Sequence, residues 1–141
     1  MMEPKTRTKP VAGASVTAEE KPYGVRIDSG GHALRGDEPA SHGGADTGPT
    51  PFGLLLSGLG ACTAITLRMY AERKQWPLVG VEVDLSYMAP DRSTRWIDRT
   101  ITLHGPLDDG QCAKLAEIAE KTPVTKAVRA GTEIRTTVDK D

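Results

Sequence analysis

The stretch TPFGLLLSGLGACTAITLRMYAERK, residues 50–74, decides the fold of this chain. Thr50 is a suitable N-cap, and Pro51 suits the first helical position, where a missing backbone N–H costs nothing. Apolar and small residues then lie on every side of a 3.6-residue turn until Arg68. The sequence therefore predicts a long, buried central helix with Cys62 in its middle.

Length, composition and charge predict one domain without a nucleic-acid or membrane partner. The chain has 141 residues and a formal net charge of −1, with Lys and Arg scattered along it. No internal repeat is visible, and no basic patch marks a surface for nucleic acid or lipid. We expect residues 1–12 to be a flexible N-terminal segment and residues 13–141 to form a single domain.

The sequence also predicts a cytoplasmic protein. The N-terminus MMEPKTRTKP is charged but lacks a following apolar segment, which argues against a secretory signal. The apolar stretch is interrupted by Ser57, Gly58, Gly60 and Thr63, and it ends at Arg68, so we interpret it as too short for a membrane span. Two cysteines do not make a disulfide framework, and a reducing compartment keeps both as thiols.

Period-two patterns predict strands on both sides of the helix in the sequence. The predicted strands are residues 14–17, 23–28, 32–35, 79–88, 94–104 and 133–138. The fourth and fifth form a hairpin, because the turn sequence APDR at 89–92 lies between them. On the fifth strand, Ile97, Ile101 and Leu103 share one face.

Two shorter helices follow the hairpin. Asp108 or Asp109 can cap the first, whose apolar stripe comprises Cys112, Leu115, Ala116 and Ala119. Pro123 disfavours the helical conformation at Thr122, so a new segment begins there and ends at Gly131, with Thr122 as its cap. The fold class is α+β, with antiparallel sheets around the central helix.

The central helix predicts a homodimer. A helix that is apolar all round needs cover on every face, and the other elements of one chain are too few to supply it. The small residues Ser57, Gly58, Gly60 and Ala61 would allow another helix to approach closely, which would offset the roughly 1 kcal/mol cost of each interior glycine.

Four motifs resemble the OsmC/Ohr family of osmotically inducible and organic hydroperoxide resistance proteins. They are DTGPTP at 46–51, GACTA at 60–64, RMYAERK at 68–74 and KTPV at 121–124. The resemblance covers about residues 14–138. It implies an OsmC-like fold, an intertwined homodimer, and thiol-dependent reduction of hydroperoxides, especially organic ones, with Cys62 as the peroxidatic cysteine.

The chain departs from that family at three places. The family's resolving cysteine, in a CPV motif, corresponds to Thr122, which has no sulfur and cannot form a disulfide with Cys62. The family's carboxylate near the helix start is replaced by Phe52-Gly53, and its arginine cannot be carried over by motif to Arg26 or Arg35. The resemblance therefore implies a one-cysteine mechanism in which an external thiol or dithiol is the reductant.

Hydroperoxide reduction requires that Cys62 be a thiolate. Attack on a peroxide O–O bond needs a thiolate, and Cys62 lies about three turns from the helix N-terminus, beyond the reach of the helix dipole. A cation must therefore approach it, either a strand arginine or His42, and either from the same chain or from a partner chain.

The remaining candidate residues are assigned structural roles. Cys112 lies on an apolar stripe, which favours core packing, although a role as the resolving thiol stays open. His32, His42 and His104 lack the spacing of metal ligands, so we expect no metal and no cofactor.

Two functions remain open. The first is an enzyme, a peroxiredoxin-like hydroperoxide reductase of the oxidative stress response that uses Cys62 as nucleophile. The second is a non-catalytic protein that binds a small apolar ligand in a dimer-interface pocket, after losing the resolving cysteine and the activating glutamate.

Overall fold

The structure is a computed structural model that describes residues 9–20 and 22–141. The chain forms two compact units, Met1–Leu54 and Leu55–Asp141. Most of the segment that the sequence predicts to be flexible, residues 1–12, lies outside the described residues. The prediction that residues 13–141 form one domain stays a prediction.

The first unit contains a three-stranded antiparallel sheet in the order β1-β2-β3. Its elements are β1 (Ser15–Ala18), β2 (Val25–Ser29), β3 (His32–Gly36) and a short 3₁₀ turn (Ala40–His42). Gly30 and Gly31 connect β2 to β3, both with positive φ. A two-residue hairpin loop needs this backbone geometry, which glycine adopts without strain. The three weak strands predicted from sequence are confirmed.

The central helix α1 spans Pro51–Lys74, as predicted. The hydroxyl of Thr50 accepts a hydrogen bond from the backbone N–H of Gly53 at 3.0 Å, which confirms the N-cap. At the other end Gln75 has φ 57°, and the N–H of Trp76 donates to the carbonyl of Ala71 at 2.9 Å. These contacts satisfy backbone groups that a helix end leaves without partners.

The second unit contains a β-hairpin and two further helices. Its elements are β4 (Gly80–Met88), β5 (Trp96–His104), α2 (Asp109–Ala119) and α3 (Pro123–Ala130). The two strands pair antiparallel from Gly80 opposite His104 to Met88 opposite Trp96, which confirms the predicted hairpin. Asp108 caps α2 in a capping box with Gln111. Among the described residues the class is therefore α+β, with three α-helices and two antiparallel sheets.

The core of the second unit forms between α1 and α2. Leu67 of α1 packs with Leu115 and Ala119 of α2, and each is at most 1% exposed. Trp76 packs against this cluster and meets the ring of Tyr70 edge-on at 5.5 Å between centroids. The apolar stripe predicted for α2 is thus buried at two of its positions.

The strand predicted at residues 133–138 is wrong. These residues are irregular, and Ile134 and Val138 are each 86% exposed. No described strand pairs with them. Alternation alone does not make a strand, because its backbone groups need a partner strand to satisfy them.

Within one chain, burial of α1 is confined to one side. Its buried residues are Leu59, Thr63, Leu67 and Ala71, a single stripe at intervals of four. Ile65 and Met69, by contrast, are 58% and 55% exposed. The homodimer that would cover them stays a prediction.

Length and hydropathy alone would allow α1 to cross a membrane. It has 24 residues, and its most apolar 18-residue window has a mean hydropathy of 1.5. That this stretch is too short and too interrupted for a membrane span therefore stays a prediction. Core helices of soluble proteins reach the same values, so the absence of a membrane partner stays a prediction.

Candidate functional site

Cys62 lies half-buried near the middle of α1, at the border of the buried stripe. An α-helix turns about 100° per residue, so Cys62 and the buried Thr63 project about 100° apart. The exposed Ile65 and Met69 lie three and seven positions further on, within about 60° of Cys62 around the helix axis. Cys62 therefore shares a side of the helix with exposed apolar residues.

Arg99 reaches the same turn of α1 from strand β5. Its side chain is only 12% exposed. One terminal nitrogen, Nη1, donates to Thr63 Oγ1 at 3.1 Å and to Thr125 Oγ1 at 2.8 Å. The guanidinium thus joins the residue that follows Cys62 on α1 to the first turn of α3.

The second terminal nitrogen of Arg99 binds the C-terminal end of α2. Nη2 donates to the carbonyl of Ala119 at 3.2 Å and to Glu120 Oε2 at 2.8 Å. Glu120 also pairs with Arg129 of α3 at 3.4 Å, so one carboxylate serves two arginines. A buried guanidinium needs such acceptors, since an unpaired one would keep its full desolvation cost. Arg99 therefore ties three helices to the hairpin.

Thr122, which the resemblance predicts to stand in place of a resolving cysteine, belongs to the same network. It is fully buried, and its hydroxyl lies 2.6 Å from that of Thr125. It also accepts from the backbone N–H of Thr125 at 3.3 Å, which confirms the predicted cap of α3. Hydrogen bonds therefore run from Thr122 through Thr125 and Arg99 to Thr63, the neighbour of Cys62. The structure brings the two family motifs together through hydroxyls and a guanidinium.

Cys112 lies half-buried on α2, beside a cavity of about 430 Å³. The cavity is lined mainly by apolar side chains, among them Leu67, Ile101, Leu103 and Leu115. Cys62 and Cys112 are both free thiols in this structure. The redox roles of the two cysteines stay predictions.

The cations named from sequence have other partners or lie on the surface. Arg35 donates to Glu19 Oε2 at 3.1 Å and to Thr47 Oγ1 at 3.2 Å. The hydrogen bond between Arg35 and Glu19 lowers the pKa of the Glu19 carboxyl and raises the pKa of the Arg35 guanidinium. Arg26 pairs with Asp28 at 3.9 Å, and His42 is exposed in the 3₁₀ turn. All of these residues belong to the first unit.

Asp37 is a buried carboxylate that was not among the residues predicted from sequence. It accepts from the hydroxyl of Thr47 at 2.6 Å, from the N–H of Thr47 at 3.1 Å and from the N–H of Glu38 at 2.7 Å. The Thr47 hydrogen bond is the main reason that its pKa is lowered, against the opposing effect of burial. Asp37 thus holds together the loop that leads to α1.

The histidines do not gather into a metal site. His104 Nε2 lies 2.7 Å from Glu82 Oε2 across the β4–β5 pair. In residues 9–20 and 22–141, no group of three or more His, Cys, Asp or Glu side chains could hold an ion.

Arg99 was not among the residues predicted from sequence, although the sequence carries a signal for it. Ile97, Ile101 and Leu103 define the inward face of β5, and Arg99 has the same parity. A charged residue at an inward strand position is costly unless it is paired, so it marks a specific polar contact. Its partners on α1, α2 and α3 are distant in sequence and could not be read from the pattern.

A groove of about 570 Å³ opens beside Arg99. Trp96 lines it and is 43% exposed, and the hairpin, α1 and α3 supply other walls. Part of the Trp96 ring therefore faces this groove.

Comparison with known proteins identifies the family. The family model described as OsmC-like protein matches residues 43–137. No curated protein matches the chain.

Solved structures of similar fold include three bacterial proteins. An OsmC-like protein from Mycoplasma pneumoniae is 16% identical with a TM-score of 0.74, over 86% of this chain and 89% of that one. The organic hydroperoxide resistance protein OsmC of Legionella pneumophila is 18% identical with a TM-score of 0.63, over 87% and 92%. The organic hydroperoxide resistance protein OhrB of Bacillus subtilis is 25% identical with a TM-score of 0.59, over 84% and 90%. The chain therefore belongs to the OsmC-like protein family.

Proposed function

We propose that this protein reduces organic hydroperoxides through Cys62, with an external thiol as the reductant. Membership in the OsmC-like family supports a redox or peroxide-related role. So does the likeness to organic hydroperoxide resistance proteins, of which OhrB of Bacillus subtilis is 25% identical. We also propose a soluble, cytoplasmic protein, in line with the solubility of OsmC-like proteins.

The position of Cys62 carries this proposal. It lies within the region matched by the family model, half-buried and one residue before Thr63, which binds the buried Arg99. Arg99 and Arg129 share the single carboxylate of Glu120, which leaves one excess positive charge in the cluster. Thiolate chemistry requires a cation near the sulfur, and the cluster that binds the neighbouring Thr63 is the cation that we propose for this role.

The reaction proceeds in three steps. The Cys62 thiolate attacks the outer oxygen of the hydroperoxide, the O–O bond breaks, and the departing alkoxide takes a proton and leaves as an alcohol. Cys62 is then a sulfenic acid. An external thiol attacks its sulfur and releases water, which gives a mixed disulfide. A second thiol reduces that disulfide and restores Cys62.

The external reductant follows from Thr122. Its hydroxyl occupies the place of the family's resolving sulfur, and it is engaged with Thr125 rather than available for bond formation with Cys62. Cys112 lies on α2 beside an apolar cavity, where packing explains it. We therefore assign the resolving step to a thiol or dithiol from outside the chain.

The proposed active form is a homodimer. Ile65 and Met69 present apolar surface on the side of α1 that also carries Cys62. A second copy that covers them would also lie over the sulfur and exclude water from it. Gly58 has no other group within 4 Å of an added Cβ and could face that copy. Gly60 instead accommodates Leu85 of β4, so the chain itself explains that glycine.

A second candidate function is the binding of a small apolar ligand without catalysis. The 430 Å³ cavity beside Cys112 favours it, because its walls are largely apolar. This cavity lies inside the second unit of one chain.

Turnover measurements separate the two candidates. The wild type is supplied with cumene hydroperoxide and dithiothreitol, and consumption of the peroxide is followed beside Cys62→Ser and Cys112→Ser. We expect Cys62→Ser to lower the rate to that of the uncatalysed reaction and Cys112→Ser to leave it unchanged. A rate that is equal in the wild type and in Cys62→Ser would contradict the enzyme proposal and favour the ligand-binding one.

A further inference from the structure

We propose that the 570 Å³ groove beside Arg99 is a binding site for a small amphipathic carboxylate. The groove lies between the start of β5, the helix α3 and Leu59 of α1. Its volume is in the range of small-molecule sites. Cys62 is not among the residues that line the groove, and binding there does not depend on thiol chemistry.

The charges that line the groove do not balance. Arg95, Arg99 and Arg129 face it with only one carboxylate, Glu120, so the lining has an excess of two positive charges. Arg99 and Arg129 both bind Glu120. Arg95 makes no hydrogen bond or ion pair among the described residues. The groove therefore offers one guanidinium without a partner in the part of the chain that the structure describes.

The apolar part of the ligand has its own surface. Leu59, Ile97 and Val128 line the groove with the ring of Trp96. Val128 and Trp96 are 37% and 43% exposed, which is open apolar surface next to a cation. A ligand with an apolar body and a single anionic end matches both features.

The guanidinium geometry favours a carboxylate at the anionic end. Arginine presents paired N–H groups that bind both oxygens of a carboxylate side by side. A phosphate monoester carries about two charges at neutral pH and would call for a second available cation. Because Arg99 and Arg129 are engaged with Glu120, Arg95 alone suits a monoanion.

Nuclear magnetic resonance of the two tryptophan indole N–H groups tests this site. Octanoate, 1-octanol and octyl phosphate are titrated separately into the Cys62→Ser protein, so that thiol oxidation plays no part. Loss of one signal in Trp96→Phe assigns the Trp96 resonance, and the Trp76 resonance in the core serves as an internal reference. We expect octanoate to shift the Trp96 resonance and to bind about tenfold more tightly than octanol.

Two variants decide whether Arg95 holds the carboxylate. Arg95→Gln should weaken octanoate binding about tenfold and leave octanol binding unchanged. Arg92→Gln removes a nearby arginine of the hairpin loop that does not line the groove, and it should leave both affinities unchanged.

Four results would overturn the proposal. They are equal affinities for octanoate and octanol, equal effects of Arg95→Gln and Arg92→Gln, tighter binding of octyl phosphate than of octanoate, and no shift at Trp96. The last result, together with weaker self-association of Arg95→Gln, would assign the groove to a second copy of the chain. Because the test uses a protein without Cys62, none of these outcomes bears on hydroperoxide reduction.

Discussion

The two sides of α1 near its middle differ in how completely the chain covers them. Thr63 is fully buried, and its hydroxyl donates to the carbonyl of Leu59 at 2.7 Å and accepts from Arg99. About 100° away, Cys62 is half-buried, and it is followed by Ile65 and Met69, which are more than half exposed. The chain itself buries the Thr63 side of α1, but it leaves the Cys62 side partly exposed.

This difference separates stability from function. On the Thr63 side the hydroxyl of Thr63 and the guanidinium of Arg99 are hydrogen-bonded, and no buried side-chain nitrogen or oxygen among the described residues lacks a partner. On the Cys62 side Ile65 and Met69 are exposed, and the proposed homodimer would cover them. We therefore expect substitutions on the Thr63 side to change folding, and substitutions on the Cys62 side to change assembly and chemistry.

The largest expected effect is on assembly, from Ile65→Asp. An aspartate in a dimer interface would lose the burial of isoleucine and desolvate a charge, at about 2 kcal/mol for each copy. Two copies weaken the dimer by roughly 1000-fold. Analytical ultracentrifugation across a dilution series measures the change.

Val11→Asp is the matched control, because Val11 is fully exposed and belongs to the first unit. It should leave the dissociation constant unchanged. Two results would contradict the proposal that a second copy covers the Cys62 side of α1. They are a wild type that sediments as a monomer at micromolar concentrations and an Ile65→Asp variant that remains dimeric.

The next largest effect is on folding, from Arg99→Met. The variant keeps much of the apolar stem but loses four hydrogen bonds to three helices. We expect the free energy of unfolding to fall by about 3 kcal/mol. Urea denaturation of the reduced protein measures it.

Arg129→Met controls for the ion pair with Glu120. Arg129 is 60% exposed, and its bonds to Glu120 are long, so its loss should cost less than about 0.5 kcal/mol. Equal free energies of unfolding for Arg99→Met and Arg129→Met would show that the Arg99 hydrogen bonds do not stabilise the buried side of α1 around Thr63.

A smaller effect on folding, with a clear chemical signature, is expected from Thr122→Cys. Loss of the α3 cap should lower the free energy of unfolding by about 1 kcal/mol. The variant restores the family's CPV motif, so one equivalent of cumene hydroperoxide should give a disulfide with Cys62. Intact mass would then fall by about 2 Da, the two hydrogens lost on disulfide formation.

Thr125→Cys is the control for the disulfide. It disturbs the same network but lies three residues further along α3, so it should not form the bond. If Thr122→Cys gained oxygen instead of losing two hydrogens, the position would not be a resolving one in this protein.

The smallest expected effect is the acid sensitivity that Asp37 gives to the first unit. Its folded-state pKa is lowered, mainly by the Thr47 hydroxyl, so the stabilisation is present above the ordinary pKa of aspartate. It is lost as the pH falls through the folded-state pKa. Asp37→Asn should therefore flatten the acid-range loss of amide protection in β2 and β3.

The second unit supplies the comparison for this measurement. Asp91 in the hairpin loop also has a lowered pKa, chiefly because the N–H of Ser93 donates to it. Asp91→Asn should act on the ends of β4 and β5 and not on β2 and β3. If Asp37→Asn left the pH dependence of amide protection in β2 and β3 unchanged, Asp37 would not be the cause of the acid sensitivity of the first unit.

Local signals made much of the fold predictable. Thr50 and Pro51 mark the start of α1, and Thr122 and Pro123 mark that of α3, because caps depend on a few neighbouring residues. The β4–β5 hairpin follows from alternation around a turn. The motifs around Cys62 also led to the family that the comparison confirms.

Features that depend on distant residues were not predictable. Residues 133–138 alternate like a strand but find no partner among the described strands, so Ile134 and Val138 stay exposed. The parity of Arg99 indicates an inward position, but its acceptors come from three helices that lie 20 residues or more away in sequence and could not be predicted. Pattern gives the face on which a residue lies, but not the contacts that it makes there.

Single-turnover oxidation of Cys112→Ser is the most direct test of the central claim. The reduced protein receives one equivalent of cumene hydroperoxide in the presence of dimedone, and intact mass and peptide mapping follow. We predict consumption of the peroxide and one dimedone adduct on Cys62, with no adduct when Cys62→Ser is added to the same background. An unmodified Cys62 with the peroxide left intact would contradict the claim that this sulfur is a peroxidatic nucleophile.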